Sequence, residues 1–376
     1  MPVFELYCYC VSTLSVILNG ILLLISSHKS IEAIQELRYF LSNVAVAGGC
    51  FSICLLLLQP QMVSRGSMTI RVPHGPAQYF SETFVKMTAS LSIVFYLYGT
   101  LSYPLFFIYR SMILSNSTTY GQYFNRRNLL ATFVIIFVFC CLEGACLYYS
   151  NVSYEDLFDR LNRTSDALQD FQDKVTTNQQ GVVPINQNFG EQTTQSPTGS
   201  NQSGIVSAEE VTKRRIPLFG DDYTRNPLIF YFHGIAVFSH GISYIIILGT
   251  AHFILKTLKK KQTTMSMETL SKNELLVHAV FAEAFLPLVL AAPVAANALL
   301  TALYENSLNW QEYLPMYLIS LVPLLSPLIS ILFVPAYRHC IVDFLIFKKL
   351  RKAKPQQQVV NDEITAPEPT LVEVSM

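Results

Sequence analysis

Residues 129–149 read LLATFVIIFVFCCLEGACLYY, an apolar run that contains no Lys or Arg and one carboxylate, Glu143. About 20 helical residues cross the ~30 Å hydrocarbon core of a bilayer. In lipid, only a helix or a closed barrel satisfies every backbone hydrogen-bonding group, and this run lacks the polar alternation of barrel strands. It therefore predicts a membrane-spanning helix.

Six further runs of the same kind accompany it. The seven predicted helices are Glu5–Ser27, Phe40–Gln59, Met87–Tyr109, Leu129–Tyr149, Leu228–Leu255, Leu275–Leu303 and Tyr313–Pro335. The chain of 376 residues is 51% hydrophobic and only 14% charged, which is too little charge to cover a soluble protein of this size. The sequence therefore predicts an all-α membrane protein, with a seven-transmembrane helix bundle over residues 1–350 and a disordered cytosolic tail over residues 351–376.

Basic residues are distributed unevenly between the two sides of this bundle. Sixteen Lys and Arg residues follow the first, third, fifth and seventh helices, all on one side of the membrane. The short segments on the other side carry three, which are Arg65, Arg71 and Lys86. Because Lys and Arg accumulate in short cytoplasmic loops, the N-terminus is predicted outside the cell and the C-terminus inside.

The second extracellular loop, residues 150–227, is long and rich in Gln, Asn, Ser and Thr, and we expect most of it to be disordered. Glycosylation sequons begin at Asn151, Asn162 and Asn201. Sequons are modified only on the lumenal side, so these three agree with the orientation derived from the basic residues.

The segment after the seventh helix is apolar over residues 341–347 and then basic. This pattern predicts a short amphipathic helix on the inner leaflet, with membrane lipid as its partner. Cys340 is a palmitoylation candidate by position, and a plain buried thiol is the alternative. The net charge of zero suggests no nucleic-acid partner, and the eight cysteines show no CxxC spacing. We expect neither a metal site nor a cofactor.

Short motifs lie at the ends of three predicted helices. They are Leu58-Gln59-Pro60-Gln61 and His74-Gly75-Pro76 after the second helix, Tyr109-Arg110 in the third, and Ser326-Pro327-Leu328-Ile329 with Pro335-Ala336-Tyr337-Arg338 in the seventh. In order and spacing the chain resembles the nematode serpentine chemoreceptors of the Srd and Str groups, which are G-protein-coupled receptors. It departs from the family pattern in lacking a Cys soon after Pro76 and in having no Cys in residues 150–227. The usual tether from that loop to the third helix is therefore absent.

The resemblance implies a chemosensory receptor of the plasma membrane, located in the cilia of sensory neurons. Such a receptor binds a small extracellular chemical and signals to a heterotrimeric G protein by rearranging its third, fifth and sixth helices. The resemblance leaves open a second receptor copy as a further partner.

Ionisable side chains within the helices are candidates for ligand contact, because charge in the bilayer is costly and usually faces the bundle interior. Together with two tyrosines placed inside their helices, the predicted ligand-binding residues are Tyr96, Glu143, His233, His240 and Tyr317. Two simpler explanations remain open. Tyrosines also form belts at membrane interfaces, and Glu143 can be a neutral carboxyl bonded to a neighbouring Ser or Tyr.

The sixth helix carries the predicted switch, formed by Glu283, Pro287 and Pro293. Proline removes a backbone donor and kinks a helix, so either proline could act as a pivot for the cytosolic end. We expect Glu283 to pair with His240 of the fifth helix. A static bend and a neutral Glu283 are the alternatives.

Basic residues at the cytosolic ends of the helices are the predicted G-protein contacts, namely Arg110, Lys259, Lys260, Lys261 and Arg338. The positive-inside rule alone explains much of this charge. Arg110 is the strongest candidate, because it matches in position the arginine that ends the third helix of such receptors and contacts the G protein.

Two other functions fit seven helices. A ligand-gated channel of the insect odorant-receptor kind would have its N-terminus inside, which the basic residues and sequons oppose. An intramembrane metal hydrolase needs several His and an Asp at one depth, but the four helical histidines are spread through the membrane and no helix contains Asp. We therefore expect a binding protein and not an enzyme.

Overall fold

The computed structural model describes residues 2–27, 38–65, 68–115, 126–152, 219–261, 266–304 and 309–333. The N-terminal helices are α1 (Pro2–Ser27), α2 (Arg38–Leu58), α3 (Glu82–Leu114) and α4 (Arg126–Ser150). The others are α5 (Leu228–Lys260), α6 (Met267–Tyr304), α7 (Leu314–Ile319) and α8 (Val322–Phe333). Within the described ranges, seven helical spans are long and apolar enough to cross a membrane, α7 and α8 together forming the seventh. The predicted number of spans is confirmed.

The helices form one bundle. α3 is its central element and packs against α2, α4 and α5, while α1 packs between α2 and α8, and α6 packs against α8. Alternate helices run in opposite directions, so the bundle has an N-terminal end, where α1 begins, and an opposite end, where α3 finishes. Large apolar side chains such as Phe107, Ile247 and Ile254 fill the core toward the opposite end.

The seventh span was predicted as one helix, Tyr313–Pro335, but it is interrupted at Ser320 and Leu321. Pro323 has no N–H to donate to the carbonyl of residue 319, so the helix loses a bond at this turn. A second proline, Pro327, likewise leaves the Pro323 carbonyl without its helical donor. Asn19 of α1 supplies a replacement, since its Nδ2 donates to the Pro323 oxygen at 2.8 Å.

The loops at the N-terminal end contain a four-stranded sheet that the sequence analysis did not predict. Its strands are β1 (Pro60–Arg65), β2 (Met68–Pro73), β3 (Asn151–Val152) and β4 (Phe219–Asp222), in the order β1-β2-β4-β3 with all pairs antiparallel. The two ends of the loop predicted to be disordered are therefore ordered strands. Residues 153–218 of that loop and the tail 351–376 lie outside the described residues.

Candidate functional site

A cavity of about 310 Å³ lies inside the N-terminal end of the bundle, directly beneath the sheet. Residues of helices α2 to α7 form its sides, and residues of β1, β2 and β4 close it at the N-terminal end. We call the four-stranded sheet the roof of the cavity. Most of the surface is apolar. The lining residues are Phe51, Leu55, Leu58, Pro60, Met62, Arg71, Ala89, Ser92, Ile93, Tyr96, Leu147, Phe219, Phe232, His233, Ala291, Pro315, Met316 and Ile319. Ligand pockets typically have volumes of about 300–1,000 Å³, so this cavity suits a small molecule.

Two glycines at the N-terminal end make close contacts that a Cβ would prevent, one with α2 and one within the sheet. A Cβ on Gly75 would lie 2.3 Å from the Leu57 carbonyl oxygen, so only glycine can dock here against the end of α2. A Cβ on Gly220 would lie 2.4 Å from the Thr69 oxygen of β2. The His74-Gly75-Pro76 motif thus has a steric explanation.

A buried ion pair joins the two middle strands of the roof. Arg71 of β2 donates from Nη2 to the Asp221 carboxylate of β4, and the Asp221 side chain is only 1% exposed. The guanidinium also donates from Nη1 to Asn151 Oδ1 at 3.3 Å. The Ser150 hydroxyl lies 3.1 Å from the second carboxylate oxygen, and the Phe219 ring lies 5.6 Å from the guanidinium carbon. Arg71 therefore reaches the cavity in a fixed orientation.

Of the predicted ligand residues, Tyr96 and His233 line this cavity. The Nδ1–H of His233 is satisfied by the Ile229 carbonyl at 2.8 Å, which leaves Nε2 as an acceptor. Tyr317 does not line it but packs in a neighbouring aromatic group, 4.6 Å between ring centroids from Tyr7. Its predicted ligand role therefore has no support from the cavity geometry.

His240 lies below the cavity, with its ring centroid 6.3 Å from that of Tyr96. Its Nδ1 donates to the Ala236 carbonyl at 2.7 Å, and its Nε2 lies 3.2 Å from the Thr100 hydroxyl, whose closest acceptor is the Leu97 carbonyl at 2.9 Å. Tyr96 and Thr100 also line a second cavity of about 40 Å³, which Pro287 of α6 lines from the other side. Tyr96 and Phe51 line both cavities and therefore lie between them.

Glu143 is buried at 2% exposure, but it does not line either cavity. The Ser239 hydroxyl of α5 lies close to it. Within the described residues, neither carboxylate oxygen has a partner at hydrogen-bonding geometry. The structure does not bring Glu143 together with Tyr96 and His233.

The predicted His240–Glu283 pair is not formed. Glu283 faces α8 instead, where its carboxylate accepts a hydrogen bond from Ser330, and both side chains are 1% exposed. The physical reason is that His240 and Glu283 point to different neighbours, α3 and α8. α6 continues as a helix through Pro287 and Pro293, and Pro293 is exposed on the outside of the bundle.

The opposite end of the bundle carries the described basic residues predicted to contact a G protein. Arg110 is buried at 9% exposure in the last turns of α3. Lys259 and Lys260 are exposed at the end of α5, and Lys261 follows half-buried. Arg338, Cys340, Asn162 and Asn201 lie outside the described residues.

Asn151 lies within the described residues, and its side-chain amide both accepts and donates a hydrogen bond. Besides accepting from Arg71, it donates from Nδ2 to the Leu147 carbonyl at 2.8 Å. A glycan would replace one of the two N–H groups of Nδ2 next to the Leu147 carbonyl, while Oδ1 is held by Arg71, so the crowded geometry disfavours Asn151 as a glycosylation site.

The sequence analysis missed a polar cluster between β1, β2 and the start of α7. The His74 Nε2–H donates to Gln61 Oε1 at 2.9 Å, and Gln61 donates to the buried Glu312 at 2.9 Å. The Phe4 ring of α1 packs edge-on against the imidazole. Burial lowers the pKa of His74 to about 4. His74 was noted only as part of a motif, and no local signal linked it to Glu312.

The sequence matches the family described as serpentine type 7TM GPCR chemoreceptor Srd over residues 4–180 and 204–343. The chain belongs to the Srd family. One relative of this Srd receptor, Serpentine receptor class delta-32 of Caenorhabditis elegans, is 22% identical over 341 residues, which cover 90% of this chain and 86% of the relative. The crystal structure of squid rhodopsin is similar in fold, with a TM-score of 0.58 and 11% identity, over 94% of this chain and 87% of rhodopsin. The Srd family is a family of receptors, which supports a receptor over an enzyme.

Proposed function

We propose that this Srd receptor binds a small extracellular chemical in the cavity beneath the sheet and signals to a heterotrimeric G protein at the opposite end of the bundle. The N-terminal end is then extracellular. The observation that carries the proposal is the cavity itself, which combines mostly apolar walls with Tyr96, His233 and Arg71. Its size and lining are typical of small-molecule sites.

α3 provides a physical connection between the two ends. Tyr96 and Arg110 lie on this one helix, which at 1.5 Å per residue places them roughly 20 Å apart. A ligand that displaces Tyr96 also changes the lining of the smaller cavity, where Tyr96 faces Pro287 of α6. We infer that α6 then shifts against α8 and weakens the Glu283–Ser330 hydrogen bond.

The inferred movement exposes the inner ends of α3, α5 and α6 to the G protein. Arg110 on α3 is the proposed central contact, and Lys259, Lys260 and Lys261 on α5 form its basic border. Arg338 and a palmitoylated Cys340 stay predictions for the segment beyond residue 333. The plasma membrane of sensory cilia stays the expected location.

The test measures dissociation of each class of heterotrimeric G protein in cells that express the receptor without added ligand. Glu283→Gln is expected to raise the basal signal above wild type by weakening the hydrogen bond to Ser330. Adding Arg110→Ala should return the signal to the level of cells without receptor. Arg127→Ala is the matched control, because Arg127 is an exposed arginine at the same end, in the first turn of α4. An equal loss of signal for the two arginine variants at equal surface expression would refute the role of Arg110, and no response from any G-protein class would refute the coupling.

A further inference from the structure

Among the described residues that line the main cavity, Arg71 is the one that carries a full positive charge, and the sequence analysis counted it only as a loop charge. The remaining lining is apolar apart from Ser92, Tyr96 and His233. A guanidinium that reaches an apolar cavity needs hydrogen-bond acceptors there, because leaving its N–H groups without acceptors is costly. We propose that Arg71 recognises the ligand, and that the ligand is a small apolar molecule carrying a neutral oxygen acceptor, such as a ketone, ester or ether.

The orientation of the guanidinium supports a recognition role. Asp221 and Asn151 hold its two terminal nitrogens, and the Phe219 ring lies against it. Asp221 comes from β4, whose register against β2 is set by backbone pairing, with Thr69 opposite Asp221 and Arg71 opposite Phe219. Arg71 is thus preorganised, so a ligand does not have to order a flexible side chain when it binds.

The Arg71 guanidinium has more N–H donors than its described partners use, so it can also donate to a ligand. A guanidinium has five N–H groups, and the described residues accept hydrogen bonds from two of them. Arg71 itself is half-buried and lines the cavity. An oxygen acceptor placed in the cavity can therefore receive a charge-assisted hydrogen bond without breaking the contacts to Asp221 and Asn151.

The charge balance selects a neutral oxygen over a carboxylate. Asp221 already neutralises Arg71, and its side chain is almost fully buried. A ligand carboxylate next to Arg71 would bring a second negative charge close to Asp221 in a poorly hydrated site, where like charges repel. A carbonyl or ether oxygen gains the hydrogen bond without that repulsion.

This inference rests on the proposed ligand cavity, but its test does not require a G protein. The full-length receptor is purified in lipid nanodiscs, and its thermal unfolding is followed with a thiol-reactive fluorogenic dye. Cys8, Cys54 and Cys140 are buried and become reactive on unfolding. The probes are n-octane, methyl hexyl ketone and octanoate, which have equal carbon numbers and differ in the head group. Because a ligand that binds the folded state raises Tm with its concentration, the concentration dependence yields relative Kd values.

We expect the ketone to bind wild type at least about tenfold more tightly than octane or octanoate, a difference of about 1.4 kcal/mol. Arg71→Met should abolish the preference for the ketone over octane. Asn151→Ala keeps the ion pair but removes the acceptor of one terminal nitrogen of Arg71, so it should reduce the preference for the ketone. This variant provides the test if Arg71→Met does not fold. Lys86→Met should leave it unchanged, because Lys86 pairs with Glu82 at 2.6 Å outside the cavity.

Three outcomes would overturn the inference: equal affinity for ketone and octane, tighter binding of octanoate than of ketone, or a ketone preference that survives Arg71→Met. Absence of any Tm shift with all three probes would also overturn it. Failure of the proposed function looks different, since the ketone preference and its loss in Arg71→Met would then persist while no G-protein class responds to the receptor.

Discussion

Asn19 supplies a hydrogen-bond donor that Pro327 removes from the seventh span, more than 300 residues away in sequence. Replacing Asn19 should therefore destabilise the bundle, and the size of the effect should depend on whether residue 327 is proline. The Nδ2 of Asn19 lies 2.8 Å from the Pro323 oxygen, and Asn19 is 3% exposed. In an unbroken helix the Pro323 carbonyl would accept from the N–H of residue 327, but Pro327 has none. Asn19→Ala therefore leaves a buried carbonyl without a donor, which costs about 1–3 kcal/mol.

A double-mutant cycle isolates this contribution. In Pro327→Ala the new N–H can donate to the Pro323 oxygen, so Asn19→Ala should then cost less, by about 1 kcal/mol or more. At about 2 °C of Tm per kcal/mol, we expect Asn19→Ala to lower the apparent Tm by about 4 °C in wild type and by about 2 °C or less in the Pro327→Ala background. Dye-monitored unfolding at a fixed scan rate measures both shifts.

Pro323→Ala is the control for nonspecific coupling. It introduces an N–H one turn earlier, where the acceptor is the carbonyl of residue 319 and not that of residue 323. Asn19→Ala should therefore lower Tm by the same amount in wild type and in Pro323→Ala. A Tm shift that is identical in the wild-type and Pro327→Ala backgrounds would refute the compensation argument, because the Asn19 bond would then be worth the same whether or not the helix supplies a donor.

Three further predictions concern the roof, the long loop and α6. Because the pKa of His74 is lowered to about 4 when folded, protonation favours the unfolded chain, so stability should be full above pH about 6.5 and fall as the pH drops toward 4. His74→Gln should flatten that part of the curve of Tm against pH. Asn151→Gln should leave the glycosidase shift on gels unchanged, whereas substituting Asn162 and Asn201 together should abolish it, and a C-terminal tag should be reachable only after permeabilisation. Glu283→Gln should speed hydrogen exchange in the second half of the seventh span, whereas Glu274→Gln, an exposed carboxylate of the same helix, should not.

The bundle could be predicted from the sequence because each span is a local signal. A run of apolar residues such as 129–149 needs no distant partner to be recognised as membrane-spanning. The end of α3 was predicted less well, because the apolar run stops before Arg110 whereas the helix continues to Leu114. The cavity was partly predictable, because Tyr96 and His233 are polar groups placed within apolar helices.

The roof could not be predicted, because its information is non-local. β3 is Asn151–Val152 and β4 is Phe219–Asp222, and neither segment has the length or the alternation of a typical strand. They pair across the loop of residues 153–218. Asp221 looks like a solvent-exposed loop carboxylate in sequence, yet it is fully buried because Arg71 and Ser150 surround it. The incorrect His240–Glu283 pair has a similar cause. The sequence indicates how deep a residue lies in the membrane, but not toward which neighbouring helix its side chain points.

The sheet and its ion pair take the place of the disulfide that would otherwise tether the long loop to the third helix. β4 carries the returning loop onto β2, and β2 is followed within ten residues by α3, so the loop is held next to the third helix without a disulfide. Removing one partner of a buried ion pair costs about 3–5 kcal/mol, and removing a native disulfide costs a similar 2–5 kcal/mol. The two solutions differ in what they share with the ligand site. A disulfide offers no donor to a ligand, whereas Arg71 both closes the roof and lines the cavity. If Arg71 binds the ligand as we propose, the roof and the ligand stabilise each other, because each keeps the guanidinium in the orientation that the other requires.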